Sequence, residues 1–262
     1  MTDDATDNPY KNTLMVWKAI FLKDALSRFF GSRGAWGWLI LEPVAHILIM
    51  SFIYALIKKI SNGGVPIQLW IMVGMVSFFL FKRTAVQVLH GIDCNRAFFA
   101  FRQVRPFDAA LSRAVVEAFS MFWVALVIAI AFVFAGFDLM PDNILLILLS
   151  LLGLWLLGLG YGLISSVMMR LVPDSGFILQ IIMLPLMIIS GVILPVTSIP
   201  EPYRSYLMFN PILHGIEVLR LAFWSGYHTV EVSLWYLYEW TLVFIVIGMA
   251  LYRALETRLV TQ

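Results

Sequence analysis

Between Ile144 and Met169 the chain carries no charged residue. About 20 apolar residues in a helix, at about 1.5 Å each, cover the roughly 30 Å of bilayer hydrocarbon, and this run is longer. It is not alone. Stretches at about 36–57, 67–89, 110–136, 143–169, 176–195 and 233–252 are of spanning or near-spanning length, the second interrupted by Lys82 and Arg83. Hydrophobic residues supply 61% of the 262 and charged residues 13%, whereas a soluble domain is about half apolar and a quarter charged. The expectation is an all-α integral membrane protein of six transmembrane helices. No internal repeat or soluble domain interrupts it, so residues 1–262 read as one transmembrane domain with a flexible start at 1–12.

Acids and bases occur in the first 30 residues before any apolar run of spanning length, which does not resemble a cleaved signal peptide. Residues 13–30 form an amphipathic pattern instead: Leu14, Phe21, Leu22, Ala25, Leu26 and Phe29 share one helical face, and Lys23, Asp24, Ser27 and Arg28 lie opposite, although Lys18 breaks the apolar stripe. This predicts a helix lying in the membrane interface. Lysines and arginines then set the orientation. With the N-terminus inside, cytoplasmic segments hold Lys11, Lys18, Lys23, Arg28, Arg33, Arg96, Arg102, Arg105, Arg113, Arg170, Arg253 and Arg258; outer segments hold only Lys58, Lys59, Arg204 and Arg220. Both termini are expected to be cytoplasmic.

Covalent chemistry finds no purchase. There is no G-x-x-x-x-G-K-[ST] loop, no Ser/His/Asp set and no H-E-x-x-H helix. Cys94 is the single cysteine, and His46, His90, His214 and His228 are too scattered for a metal site. The chain reads as a permease, not an enzyme, with no cofactor of its own and no nucleic-acid partner.

The most informative stretch is SGVILPVTSIPEPYRSYLMFNPILHGIEVLR, residues 190–220. Pro195, Pro200 and Pro202 forbid a continuous helix. The apolar pattern resumes, breaks at Asn210-Pro211, where Asn caps and Pro takes the first helical position, and runs on to Trp224. Two helices this short cannot cross a bilayer, but over 196–228 they can form a re-entrant hairpin at its outer side. Glu217 and Arg220 share a face, with His214 a turn earlier. They form either an internal ion pair, in which case exchanging the two charges should partly restore a damaged protein, or a polar lining at the mouth of a pathway.

This stretch resembles the closing section of type-two ABC exporter permeases that move polysaccharides, chiefly through Asn210, Pro211, Glu217 and Arg220 followed by Gly226-Tyr227. Within that family the chain is most similar to the membrane subunits of Gram-negative capsular polysaccharide exporters, and the layout agrees over almost its whole length. The resemblance implies an inner-membrane protein that pairs with a second copy around a channel. It further implies two copies of a separate ATPase, which would bind ATP and Mg. A lipid-linked acidic polysaccharide would move from cytoplasm to periplasm, onward through a periplasmic adaptor and an outer-membrane exporter. Another exporter of lipid-linked glycan, for O-antigen or teichoic acid, is the alternative within the class. An ion-coupled carrier would need a carboxylate in a span, for which Glu42 and Glu117 are the candidates.

Residues 95–113 interleave Phe98, Phe99, Phe101 and Phe107 with Arg96, Arg102 and Arg105. Aromatic anchors beside arginines suit a short helix docked on another protein, and the family resemblance puts ATPase coupling at Phe98, Phe99, Phe101, Arg102 and Arg105, with a smaller contact at 170–176. An interfacial helix on anionic lipid is the other reading. Lys82 lies roughly 24 Å along its span from Ile67, near the cytoplasmic edge, at the level expected for Arg28 and Arg33 and just above Arg96. Arg28, Arg33, Lys82, Arg83 and Arg96 are thus candidates to hold a lipid phosphate or acidic sugars, unless Glu42 neutralises Lys82 and Arg83. Trp70, Phe78, Phe79, Phe81, Trp123 and Tyr161 are candidate channel aromatics or ordinary packing residues. Gly158, Gly160 and Gly162 suit close helix packing.

Overall fold

The structure, a computed structural model, describes residues 9–30, 35–57, 64–100, 104–227, 229, 231–256 and 259. Every regular element among them is helical: α1 (Pro9–Phe30), α2 (Ala35–Ile57), α3 (Ile67–Leu89), α4 (Pro106–Phe134), α5 (Ile144–Leu171), α6 (Ser175–Ile181), α7 (Met183–Ile189), α8 (Tyr203–Leu207), α9 (Pro211–Phe223) and α10 (Leu234–Ala254), with 3-10 segments at Asp93–Ala100 and Val196–Ser198. Helices α2, α3, α4, α5 and α10 are long and apolar enough to cross a membrane. The stretch expected as a fifth span is instead two seven-residue helices, α6 and α7, meeting at Ile182. Pro185 explains the break, since it has no N–H to offer the Ile181 carbonyl.

Helix α3 is the axis of the bundle, buried on nearly every side and packed by α2, α4, α5 and α9. Its contact with α5 is set by small residues. A Cβ on Gly158 would lie 2.7 Å from the Phe81 carbonyl oxygen, and one on Gly162 2.8 Å from that of Ala85. The neighbouring face of α5 meets α10, where a Cβ on Gly160 would come within 2.9 Å of the Ile245 backbone nitrogen. Without hydrocarbon exclusion to drive helices together in lipid, such close backbone approach is where packing energy comes from. The helix ends are specified locally: Asn143, Asn210 and Ser233 each accept an N–H of the first turn through the side chain, starting α5, α9 and α10.

Helix α1 begins at Pro9, earlier than the pattern suggested, and packs on α4 and α2 with its polar side inward. Asp24 is buried, whereas Met15, Leu22 and Leu26 are exposed. The side turned to protein therefore holds Asp24 and Lys23 together with Ile20, while Leu22 and Leu26 of the expected apolar face point outward. Helices α2 and α10 likewise present long rows of exposed apolar side chains, among them Leu41, Leu48, Phe52, Leu242, Val246 and Met249.

Candidate functional site

Three of the five predicted cations converge. Arg28 from α1, with Lys82 and Arg83 from α3, lines a cavity of about 310 Å³ together with Glu42 and His46 from α2 and Phe79. The carboxylate that holds the arginines is not Glu42. Glu117 of α4, fully buried, takes Arg83 Nε on Oε1 at 2.5 Å and faces Arg28 Nη1 with Oε2 at 2.5 Å. Glu42 lines the same cavity as Lys82 and His46, and the Lys82 ammonium lies 5.7 Å from the Phe79 ring centroid. In the sequence Glu117 stands out only as a candidate carrier carboxylate beside Glu42. Its two partners come from helices distant in sequence, so no spacing pattern reveals the bridge.

Further contacts extend this seam along α1. Trp17 Nε1 donates to Asp108 at 2.7 Å, Lys23 donates to Asp24 at 3.0 Å and to Asn95 at 2.7 Å, and Arg113 lies 3.9 Å from Asp24. Arg96 is not part of the cavity. It is exposed and pairs with Asp93 at 3.2 Å, which also takes Arg170 at 3.2 Å. Arg33 lies outside the described residues.

The predicted coupling residues divide. Phe98 is half-buried under the Lys23 ammonium at 4.9 Å. Phe99 packs inward among Val88, Ile92, Ala109 and Leu163. Arg105 is exposed at the start of α4, its backbone N–H donating to Asp108 at 2.9 Å; Phe101 and Arg102 lie outside the described residues. Among the candidate channel aromatics, Trp70, Phe78 and Phe81 are enclosed in the bundle, Phe79 is buried beside the cavity, and Trp123 is exposed on α4. Tyr161 sits between the rings of Phe81 and Phe244.

At the other end of the bundle, Glu217 and Arg220 are both fully buried and pair at 2.6 Å. The guanidinium lies 3.5 Å from the Trp70 ring centroid and donates to the carbonyls of Gly191 at 2.8 Å and Val192 at 3.2 Å. Thr229 donates its hydroxyl to Glu217 at 2.5 Å, and Trp70 Nε1 donates to the Tyr227 hydroxyl at 3.0 Å. Gly74 makes the room: a Cβ there would sit 2.3 Å from an Arg220 nitrogen. Gly191, at φ +70°, turns the chain out of α7 and presents its carbonyl. Asn210 ties back to Ser190 at 2.8 Å. His214 accepts the Ser233 N–H on Nδ1 at 3.0 Å, so its proton sits on Nε2 and is donated to the Met208 carbonyl at 2.8 Å. At the surface, the Ser225 N–H donates to Asp142 at 2.6 Å and holds that carboxyl below the usual carboxylate range.

A helical bundle with several bilayer-length apolar helices, buried ion pairs at both ends and a polar cavity beside one of them has the makings of a transport protein. The chain belongs to the ABC-2 type transporter family, whose profile matches residues 16–224. It is 34% identical over 245 residues, 94% of this chain and 95% of the relative, to the polysialic acid transport protein KpsM of Escherichia coli. It is 24% identical over 233 residues, 88% of each chain, to the capsule polysaccharide export inner-membrane protein CtrC of Neisseria meningitidis serogroup A. The corresponding protein BexB of Haemophilus influenzae is 19% identical over 241 residues, 90% of this chain and 89% of the relative.

Proposed function

We propose that this chain is the membrane subunit of an ATP-driven exporter that carries a lipid-linked capsular polysaccharide from cytoplasm to periplasm. The observation that carries the reading is similarity along 94% of the chain to a polysialic acid transport protein, joined by capsule export relatives in two other organisms. Two copies form the channel, and two copies of a separate ATPase bind ATP and Mg and drive it. Both termini face the cytoplasm in the bacterial inner membrane. Helices α6 and α7 together make the fifth of six crossings, and α8 and α9 form the re-entrant hairpin, locked by Glu217 and Arg220. Helix α1 lies in the inner interface, its exposed apolar side toward lipid. The segment around Phe98, Phe101, Arg102 and Arg105 couples to the ATPase, and a periplasmic adaptor and an outer-membrane exporter continue the path. The cavity between α1, α2 and α3 holds the anionic terminus of the glycolipid at the loading side.

Purification with a co-expressed ATPase tests this directly. ATP hydrolysis by the complex is expected to respond to lipid-linked capsular glycan. A stable chain that recruits no ATPase would overturn the reading.

A further inference from the structure

The cavity lined by Arg28, Glu42, His46, Phe79, Lys82 and Arg83 has a charge count that its surroundings make consequential. Lys82 lies seven residues before the end of α3 and Glu42 seven after the start of α2, about 10 Å along each helix. Each helix is about 35 Å long, so one centred on the roughly 30 Å hydrocarbon layer places the cavity about 8 Å inside its edge. At that depth a charge is costly unless matched. Among the described residues three cations, Arg28, Lys82 and Arg83, face two carboxylates, Glu117 and Glu42, with the imidazole of His46 counted as neutral at pH 8. Glu117 is wholly engaged by the two arginines. Glu42 is exposed and shares the cavity with Lys82, but makes no ion pair shorter than 4 Å among the described residues. One positive charge is left over.

We propose that the cavity is a site for a single phosphodiester on a lipid, entering beside α2, and that Glu42 sets its charge selectivity. A phosphodiester brings one negative charge and oxygens for the ammonium of Lys82 and for the guanidinium edges that Glu117 leaves free. A phosphomonoester brings a second negative charge, which Glu42 opposes. Glu42 and His46 are exposed, so the cavity reaches the surface, and the exposed apolar side chains of α2 around it, Trp38 and Leu41, suit acyl chains. Two sources share this chemistry: the phosphodiester of an anionic phospholipid, and one in the terminus of the exported glycolipid. The proposal deepens the reading of this cavity as the loading site.

The test is native mass spectrometry of the purified protein in detergent, at pH 8, titrated in turn with phosphatidylglycerol, phosphatidic acid and phosphatidylcholine. Wild type is expected to bind phosphatidylglycerol tightest, and Lys82→Gln to weaken it about tenfold, the loss of one charge-assisted contact. Glu42→Gln is expected to reverse the order in favour of phosphatidic acid. That reversal is a gain a misfolded variant could not show. A wild type that prefers phosphatidic acid, or a Glu42→Gln variant with unchanged order, overturns the proposal. Competition by purified capsular glycolipid would identify the exported molecule as the occupant; no competition would assign the site to bulk phospholipid. The measurement needs no ATPase, so failure here leaves the ATPase response, and with it the exporter reading, to stand or fall separately.

Discussion

Arg220 shows how much a side chain can depend on backbone placed by other elements. Its guanidinium has a carboxylate on one side, but two of its closest acceptors are the carbonyls of Gly191 and Val192, and Trp70 covers its face. Removing one partner of such a buried pair leaves an uncompensated charge and costs about 3–5 kcal/mol. Exchange of the charges is not expected to repair it, although the pair alone would suggest that it should. In Glu217→Arg with Arg220→Glu, a carboxylate would meet carbonyl oxygens, and an arginine would face the Thr229 hydroxyl in space shaped for a carboxylate. The double variant is therefore expected to unfold in detergent at least as early as either single variant. A midpoint restored toward wild type would show that the pair acts independently of its carbonyl cradle. The sequence announces the two charges three residues apart, yet the carbonyls that fix their order belong to a turn 28 and 29 positions upstream of Arg220. Glu117 teaches the same lesson, because Arg28 and Arg83 reach it from two other helices.

At the scale of elements, apolar length alone located α2, α3, α4, α5 and α10, because one helix can satisfy its backbone in lipid without help from neighbours. The division into α6 and α7 hangs on Pro185, which length and hydropathy pass over. The direction in which α1 turns its polar side was likewise hidden, since amphipathicity says that two faces differ but not what each one meets. The short segment Asp93–Ala100 carries this distinction into coupling. Phe99 is only 8% exposed and belongs to the packing under α4 and α5, whereas Phe98 is half-buried beneath Lys23. Phe99→Ala should cost about 3 kcal/mol of stability. Phe98→Ala should leave the unfolding midpoint near wild type while uncoupling ATP hydrolysis from export. Thermal unfolding together with ATPase and export assays separates the two; equal losses of stability would remove Phe98 from the contact surface.

The whole molecule is polarised. The arginine–glutamate bridge, the Asp93–Ala100 segment and the seam along α1 share one end, and the Glu217–Arg220 lock holds the opposite end, where α3 begins and α9 packs. The excess of Lys and Arg near the first end predicts that it faces the cytoplasm under the rule that orients membrane helices, although Lys58 and Lys59 weigh against it. Cys94 offers a direct arbiter: it is the single cysteine in the sequence, exposed, and lies at that first end. A membrane-impermeant maleimide should label it in inverted inner-membrane vesicles and leave it untouched in intact spheroplasts. The reverse should hold for Asp138→Cys in a Cys94→Ser background, because Asp138 is exposed beyond the far end of α4, a 29-residue helix about 44 Å long. Labelling of Cys94 in intact spheroplasts would invert the molecule, put the phosphodiester cavity at the periplasmic side, and so turn a loading site into a release site.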